Sequence, residues 1–426
     1  MKQLYTILIL LLCIPATAQD MQRVRATVDT LASPYFHGRG YILGGDAKAA
    51  DYLRDRFKQI GLKPPGSSYY QSFSFLVNRI VDTPRLQIDG QSLKAGKDFI
   101  ARASSPAGTG KATVVELDTL ALTSPGAAQR FFSRSFKGKA IVYRQQDAKL
   151  IAQLPQPYQL KLEQAGLHVV LQPKALLTTV ARKAEATPVL EVLASAWPAN
   201  AKSIKYSIKS SINPSHQTQN VIGYVEGSSQ PDSFLVFTAH YDHLGGQGEE
   251  VYFPGANDNA SGTAMLLELA EHYSKPENRP KYSIAFIAFA AEEAGLLGSF
   301  YYVQNPLFPL GSIRFLINLD LLGTGDDGLM VVNGQVHKKE FALLDSLNKT
   351  QHLLPQIKSR GKAANSDHYP FSEKGVPAFF FYTLGGTAAY HNTQDYAAQL
   401  PLTKFPEVFK LITSFTCALQ GQAADF

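Results

Sequence analysis

Past its first twenty residues the chain has no uninterrupted apolar run of spanning length. A transmembrane helix needs about 20 such residues, so no membrane span is expected there. Cysteine is nearly absent, with only Cys13 and Cys417 in 426 residues. Cys13 falls in the leader described below. No disulfide can then form within the remaining chain, and stability must come from the core. Cys417 lies in the helical pattern Val408 to Leu419 and is expected as a buried apolar residue. Low-complexity tracts are missing too, which argues against disorder. So is any block of lysine and arginine interleaved with aromatics, which argues against nucleic acid as a partner despite a formal charge of +6.

What remains is an ordinary globular composition, 45% hydrophobic and 18% charged. The length suggests two domains with room for an extra segment. The N-terminus, MKQLYTILILLLCIPATAQD, has one early lysine, an apolar core from Leu4 to Ile14 and Ala16-Thr17-Ala18 as a cleavage signal. That pattern is a secretory signal peptide over residues 1–18, cut after Ala18, and implies a secreted or periplasmic protein. Cys13 offers a lipoprotein alternative, against which Leu12 stands where a small residue is needed.

The texture divides the rest into three parts. Residues 19–100 read as the N-terminal part of a larger domain. Two helical pieces there flank the glycine-rich loop SPYFHGRGYILGG, residues 33–45. Its GRG has no preceding strand and is not read as a phosphate loop. Asp46 is expected to cap the second helix and Gly61 to end it. Residues 101–216 carry short strand candidates, such as Lys139-Val142 and His168-Leu171, with helical stretches between and no chemically suggestive cluster. This reads as a smaller inserted α/β or β-rich domain. Residues 217–426 alternate buried-type strands with helices. Runs such as SIAFIAFA and FLINLD lack polar alternation, as when helices cover both faces of a sheet. The fold class is therefore α/β, with a mixed, largely parallel central sheet.

In such sheets ligands bind beyond the carboxyl ends of the strands. Here one strand ends in His240-Tyr241-Asp242, the next in Glu292-Glu293 and a third in Asp320. GANDNASG, with Asp258, opens a helix between the first two, and Tyr390-His391 follows the last strand. Five potential ligands thus converge: His240, Asp258, Glu293, Asp320 and His391. Two imidazoles with three carboxylates suit zinc or a similar divalent ion. Carboxylates cluster only where positive charge neutralises them. Two ions, typically about 3.5–4 Å apart, share such a set with one bridging carboxylate, and Asp258, between loop and helix, is the natural bridge. Glu292 remains free to move a proton, its pKa raised by the apolar FIAFAA around it. Asp242 is positioned to accept the His240 N–H and fix its tautomer. His243 is expected as an exposed loop residue. Tyr390 is a candidate substrate contact, whereas Phe379 to Tyr382 read as strand core.

AHYDHLG, GANDNASG, AFAAEEAGLLGS, NLDLLG, SDHYPF and YHNTQDY together resemble the M28 zinc aminopeptidases, among the co-catalytic metallopeptidases. The 101–216 stretch is similar to the protease-associated insert of many members, notably in FKGKAIVY and LEQAGLHVVL. The resemblance implies a zinc-exopeptidase-like fold and two divalent metal ions, zinc foremost. One ion would take His240 and Asp320, the other Glu293 and His391, with Asp258 bridging and a cis peptide at Asp258-Asn259. Glu292 would be the general base acting on a metal-held water, and Asp242 would orient His240. Ser366, Asp367 and His368 match a motif lying outside the ligands. The substrates implied are peptides with a free N-terminus. Three alternatives stay open. A glutaminyl cyclase shares the fold and much of the pattern. A non-catalytic binding homologue would have lost ligands. A carboxypeptidase or other amide hydrolase would differ in the bond cut. Oligomeric state and preferred first residue are not legible.

Overall fold

Each central strand sends alternate side chains to opposite faces, and both faces are apolar. On the strand Gln230–His240, Leu235, Phe237 and Ala239 join one core, while Phe234 and Val236 join another. Tyr282–Phe289 divides the same way, with Ile284, Phe286 and Ala288 against Ala285, Ile287 and Phe289. Two-sided burial explains why these strands read as continuous apolar runs. In this computed structural model, which describes residues 20–387 and 389–421, they lie at the centre of an eight-stranded sheet. The leader expected at residues 1–18 lies outside the described residues. No helix among the described residues is long and apolar enough to cross a membrane.

The strand order is 70–80, 210–225, 282–289, 230–240, 313–319, 378–384, 328–332, 357–360. The four central strands, 282–289 to 378–384, are parallel, so their carboxyl ends share one edge. The flanking pairings 210–225 with 282–289 and 328–332 with 378–384 are antiparallel, which makes the sheet mixed. Helices Met21–Leu31, Gly45–Ile60, Gly262–Tyr273, Lys338–Gln351 and Phe405–Leu419 supply the larger core on one face. Phe371 and Tyr302, from the short helices His368–Glu373 and Leu297–Gln304, fill the other.

A second sheet of eight strands runs in the order 91–93, 85–88, 203–208, 108–116, 139–144, 167–172, 189–193, 99–101. It has its own cores around Val142, Leu190 and Ile204, and around Phe132, Ile141 and Val170. Its strands begin at Arg85, before residue 101 where the insert is expected to start, and the strand 210–225 across its expected end belongs to the main sheet.

Two local expectations change. Asp46 does not cap its helix; Gly44 precedes the first turn, and the buried Asp46 carboxylate instead meets His216 Nε2 at 2.8 Å. A glycine with a φ of 69° makes the entry turn, freeing Asp46 for a long-range partner. Cys417 is half-buried rather than buried, since the C-terminal helix covers the core on one side only.

The N-terminal helix is held to the helix Gly262–Tyr273 by charge. Arg23 Nε and Nη2 donate to the two carboxylate oxygens of Glu268 at 2.6 and 2.7 Å, and Glu268 is only 2% exposed. Removing Arg23 strands a buried carboxylate. Arg23→Ala is therefore expected to destabilise the protein by about 2–4 kcal/mol in urea unfolding, and Arg23→Met with Glu268→Gln by less than half of that. Equal losses for the single and double variants would show that the ion pair is not what holds the helix.

Candidate metal centre

Three carboxyl ends of the parallel strands deliver side chains to one point. His240 closes its strand, and Thr263 Oγ1 donates to its carbonyl at 3.0 Å. Asp320 follows the strand Ile313–Leu319, its amide donating to Phe381 O at 3.2 Å. Glu292 and Glu293 follow Tyr282–Phe289, where Ala291 takes a φ of 56° and turns the chain so that neighbouring carboxylates serve one site. Asp258 sits in the irregular turn Ala256–Ser261 ahead of the helix Gly262–Tyr273. The Asp258-Asn259 peptide is cis, as the resemblance implied. His391 comes from the irregular chain after the strand Ala378–Leu384.

The distances form two groups joined by one residue. His240 Nε2 lies 3.4 Å from Asp258 Oδ1 and 3.3 Å from Asp320 Oδ1. His391 Nε2 lies 3.1 Å from Asp258 Oδ2 and 3.3 Å from Glu293 Oε2. Each oxygen of Asp258 therefore faces a different histidine. The five residues expected together are together.

His243 is the main departure. Expected on an exposed loop, it is fully buried, and its Nδ1 meets Glu293 Oε1 at 2.7 Å. Two imidazoles thus compete for the second position. His243, Asp258 and Glu293 offer atoms close enough to hold an ion, but His243 Nδ1 is 3.9 Å from Asp258 and already hydrogen-bonded to Glu293. His391 Nε2 faces oxygens of both acids and lines the open cleft, so geometry favours it as the ligand.

The outer residues fall into place with one change of partner. His240 Nδ1 lies 3.1 Å from the backbone carbonyl of Asp242 and 3.8 Å from its carboxylate. That carboxylate instead accepts the Glu292 and Glu293 amides at 3.1 and 3.3 Å and the Tyr41 hydroxyl at 2.7 Å. Ser366 Oγ donates to Asp320 Oδ2 at 3.0 Å, and Asp320 Oδ1 has no donor. Asp367 accepts from Ser299 Oγ at 2.5 Å behind the ligands. His368 lies in the layer under the sheet, its ring 5.3 Å from that of Phe380, and does not line the cleft. Tyr390 stacks on His391 at 3.9 Å and is half exposed at the mouth. The cleft has a volume of about 390 Å³ and is lined by the five candidate ligands with Glu292, Leu296, Arg360, Phe380, Tyr382 and Tyr390 among others.

Electrostatics express the crowding. Burial, with Glu293, Asp367 and Asp320 nearby, pushes Glu292 well above the usual carboxylate range against the pull of His240. Burial lifts Asp242 to about 6 and Asp367 to about 7. Burial would lower His391, but hydrogen bonds to Asp258 and Glu293 outweigh it and raise it to about 10. His240 is likewise held well above its ordinary value, chiefly by Asp320 against the effect of burial. An undonated, buried Asp320 oxygen beside nitrogen and carboxylate donors fits a divalent cation.

Sequence reasoning missed what holds the turn carrying Asp258. Arg39, from the glycine-rich loop, is fully buried and donates to five carbonyls: Tyr241, Leu31, Pro254, Gly255 and Asp258, at 2.7 to 3.2 Å. Burial lowers its pKa to about 10, so it stays charged at neutral pH. The loop approaches so closely that a Cβ on Gly40 would lie 2.3 Å from Gly245 Cα. The GRG run was the only visible signal. From the other side, Asp395 accepts the Asn257 and Asp258 amides at 3.0 and 3.1 Å. Asp395 lay unused inside YHNTQDY.

Residues 220–416 match the family model for peptidase family M28. Aminopeptidase YwaD of Bacillus subtilis (strain 168) is 31% identical over 210 residues, 46% of this chain and 44% of that protein. A probable zinc metalloprotease of Pyrenophora teres f. teres (strain 0-1) is 40% identical over 113 residues, 26% of this chain and 23% of that protein. The chain thus spans less than half the length of these curated relatives. The solved structure of BSAP, a zinc aminopeptidase from Bacillus subtilis, superposes with a TM-score of 0.70 at 21% identity, covering 93% of this chain and 94% of that one. That likeness shows the fold.

Arg39→Met takes a donor from five buried carbonyls, of which Gly255 O keeps the Ala260 amide at 3.2 Å. The expected cost is more than about 3 kcal/mol in urea unfolding of the chelator-treated protein. A loss below about 1 kcal/mol would mean that the carbonyls find other donors.

Proposed function

We propose, from the premise that residues 220–416 form an M28 peptidase region, that the chain is an exported aminopeptidase that works with two divalent ions, zinc foremost. One observation carries this reading: Asp258 turns one carboxylate oxygen to His240 and the other to His391, at 3.4 and 3.1 Å. A shared carboxylate between two histidines, each with a second acid, is the donor set of a paired site. His240 and Asp320 would hold one ion, Glu293 and His391 the other, with Asp258 between them. His243 orients Glu293.

When bound, the ions acidify water and polarise a peptide carbonyl. The remaining duties belong to the chain. Glu292 lines the cleft without a ligand's role, and its raised affinity for protons suits it to take one from the attacking water and pass it to the leaving amine. Asp242, through the two amides it accepts, fixes the turn that presents Glu292 and Glu293. The acidic wall, Asp320 in particular, attracts the free α-amine of a peptide and so favours cleavage from the N-terminus. Tyr390 at the mouth is offered as a substrate contact, with Asp367 and His368 as supporting residues behind the ligands. Export rests on the leader pattern at residues 1–18. Residues 85–208, the span of the second sheet's strands, are taken as the insert between the two parts of the peptidase, in place of the expected 101–216.

Glu292→Gln is expected to keep zinc content while losing turnover of aminoacyl amides by at least about 100-fold. Metal analysis beside the assay checks it, and wild-type-like rates would end the proton-transfer role. His391→Ala is expected to lose one of the two ions under the same metal analysis. A glutaminyl peptide should release free glutamine. Pyroglutamate as the product would select the cyclase alternative.

A further inference from the structure

The candidate ligands differ in what holds them. His240 and Asp320 sit at or just past the ends of central strands. His391 sits on irregular chain between the strand Ala378–Leu384 and the turn Ala397–Gln399, and has a φ of 53°. A left-handed conformation at a non-glycine residue persists only where its surroundings impose it. The carbonyl of His391 accepts a 3.0 Å hydrogen bond from the amide of Thr178. Thr178 belongs to the second sheet's module, on the connection between its strands Leu167–Gln172 and Val189–Leu193.

That connection is fastened on both sides of Thr178. Leu176 packs with Ile100, Leu244, Val251 and Phe253, and Val180 rests on the same cluster. Ala181 O accepts the Asn78 amide at 2.8 Å, which ties the segment to the strand Tyr70–Ile80 of the main sheet. A second tie lies two residues past the histidine, where Thr393 Oγ1 donates to Gly96 O at 2.8 Å. Gly96 in turn adjoins the second sheet's edge strand Phe99–Ala101.

We propose that residues 176–181 are a strap by which the second-sheet module positions His391. The module then governs the Glu293–His391 metal position and leaves the His240–Asp320 position untouched. Thr178 and Thr393 are positioning residues: neither lines the cleft. The proposal rests on the paired-metal reading above. It gives the module a role at the site, and anything that displaces the strap should empty one position first.

The test is a calorimetric titration of zinc into chelator-stripped, full-length protein. Wild type is expected to take up zinc in two resolved steps. Thr178→Pro removes the amide donor, and Thr393→Val removes the hydroxyl while keeping the side chain's shape. Each should weaken one step by about tenfold or more, the usual cost of losing a group that orients a ligand, and leave the other step unchanged. If both variants titrate like wild type, or lose both steps equally, the strap does not position His391. If Thr178→Pro does not fold, Thr393→Val alone decides by the same criterion. A wild type without two zinc steps would overturn the paired-metal reading itself, and the strap with it.

Discussion

The rest of the molecule depends on one carboxylate being held in one plane. Asp258 can present an oxygen to each of two histidines only if its backbone cannot rotate. Arg39 fixes its carbonyl, Asp395 its amide, and Asn259 Nδ2 ties the next residue to Leu319 O at 2.9 Å. These partners come from the N-terminal loop, the C-terminal loop and the central sheet. Three regions far apart in sequence therefore meet at one peptide.

Charge explains why so much structure is spent there. Asp258, Glu293, Asp320, Glu292, Asp242 and Asp367 crowd a region that also holds three histidines and the buried guanidinium of Arg39. Like charges in a dry site raise one another's pKa or draw in cations. Here the two outcomes are divided. The acids that face imidazoles can share positive charge. Glu292 and Asp367, set slightly apart from that sharing, hold protons more readily. A cluster suited to cations and a neighbouring carboxyl with raised proton affinity both follow from burial and this crowding.

Legibility in the sequence tracked locality. Residues that end a strand, His240, Asp320 and the Glu292-Glu293 pair, were readable because a parallel strand is a continuous apolar run and the first polar residue after it stands at the edge. His243 was not readable. Its burial depends on the 33–45 loop packing against residues 243–245, where Gly245 N donates to Gly38 O at 2.9 Å. Asp242 was readable as the partner of His240 Nδ1, but not which of its atoms accepts, because the choice between carbonyl and carboxylate is made by Tyr41 and the Glu292 and Glu293 amides. Asp46 resembled a helix cap, but its partner, His216, lies 170 residues away.

By itself, the sequence determined the alternation of strand and helix, the edge where ligands gather and the chemical kinds of those ligands. Apolar periodicity and chain punctuation act over a few residues, and those features need nothing more. The tertiary structure alone decided which oxygen of Asp258 faces which histidine, that Arg39 lies beneath the turn and that the second sheet reaches His391. Apart from His240 with Asp258, such contacts join residues more than a hundred positions apart, and they exist only once packed layers have excluded water and left each buried polar group to find its partner.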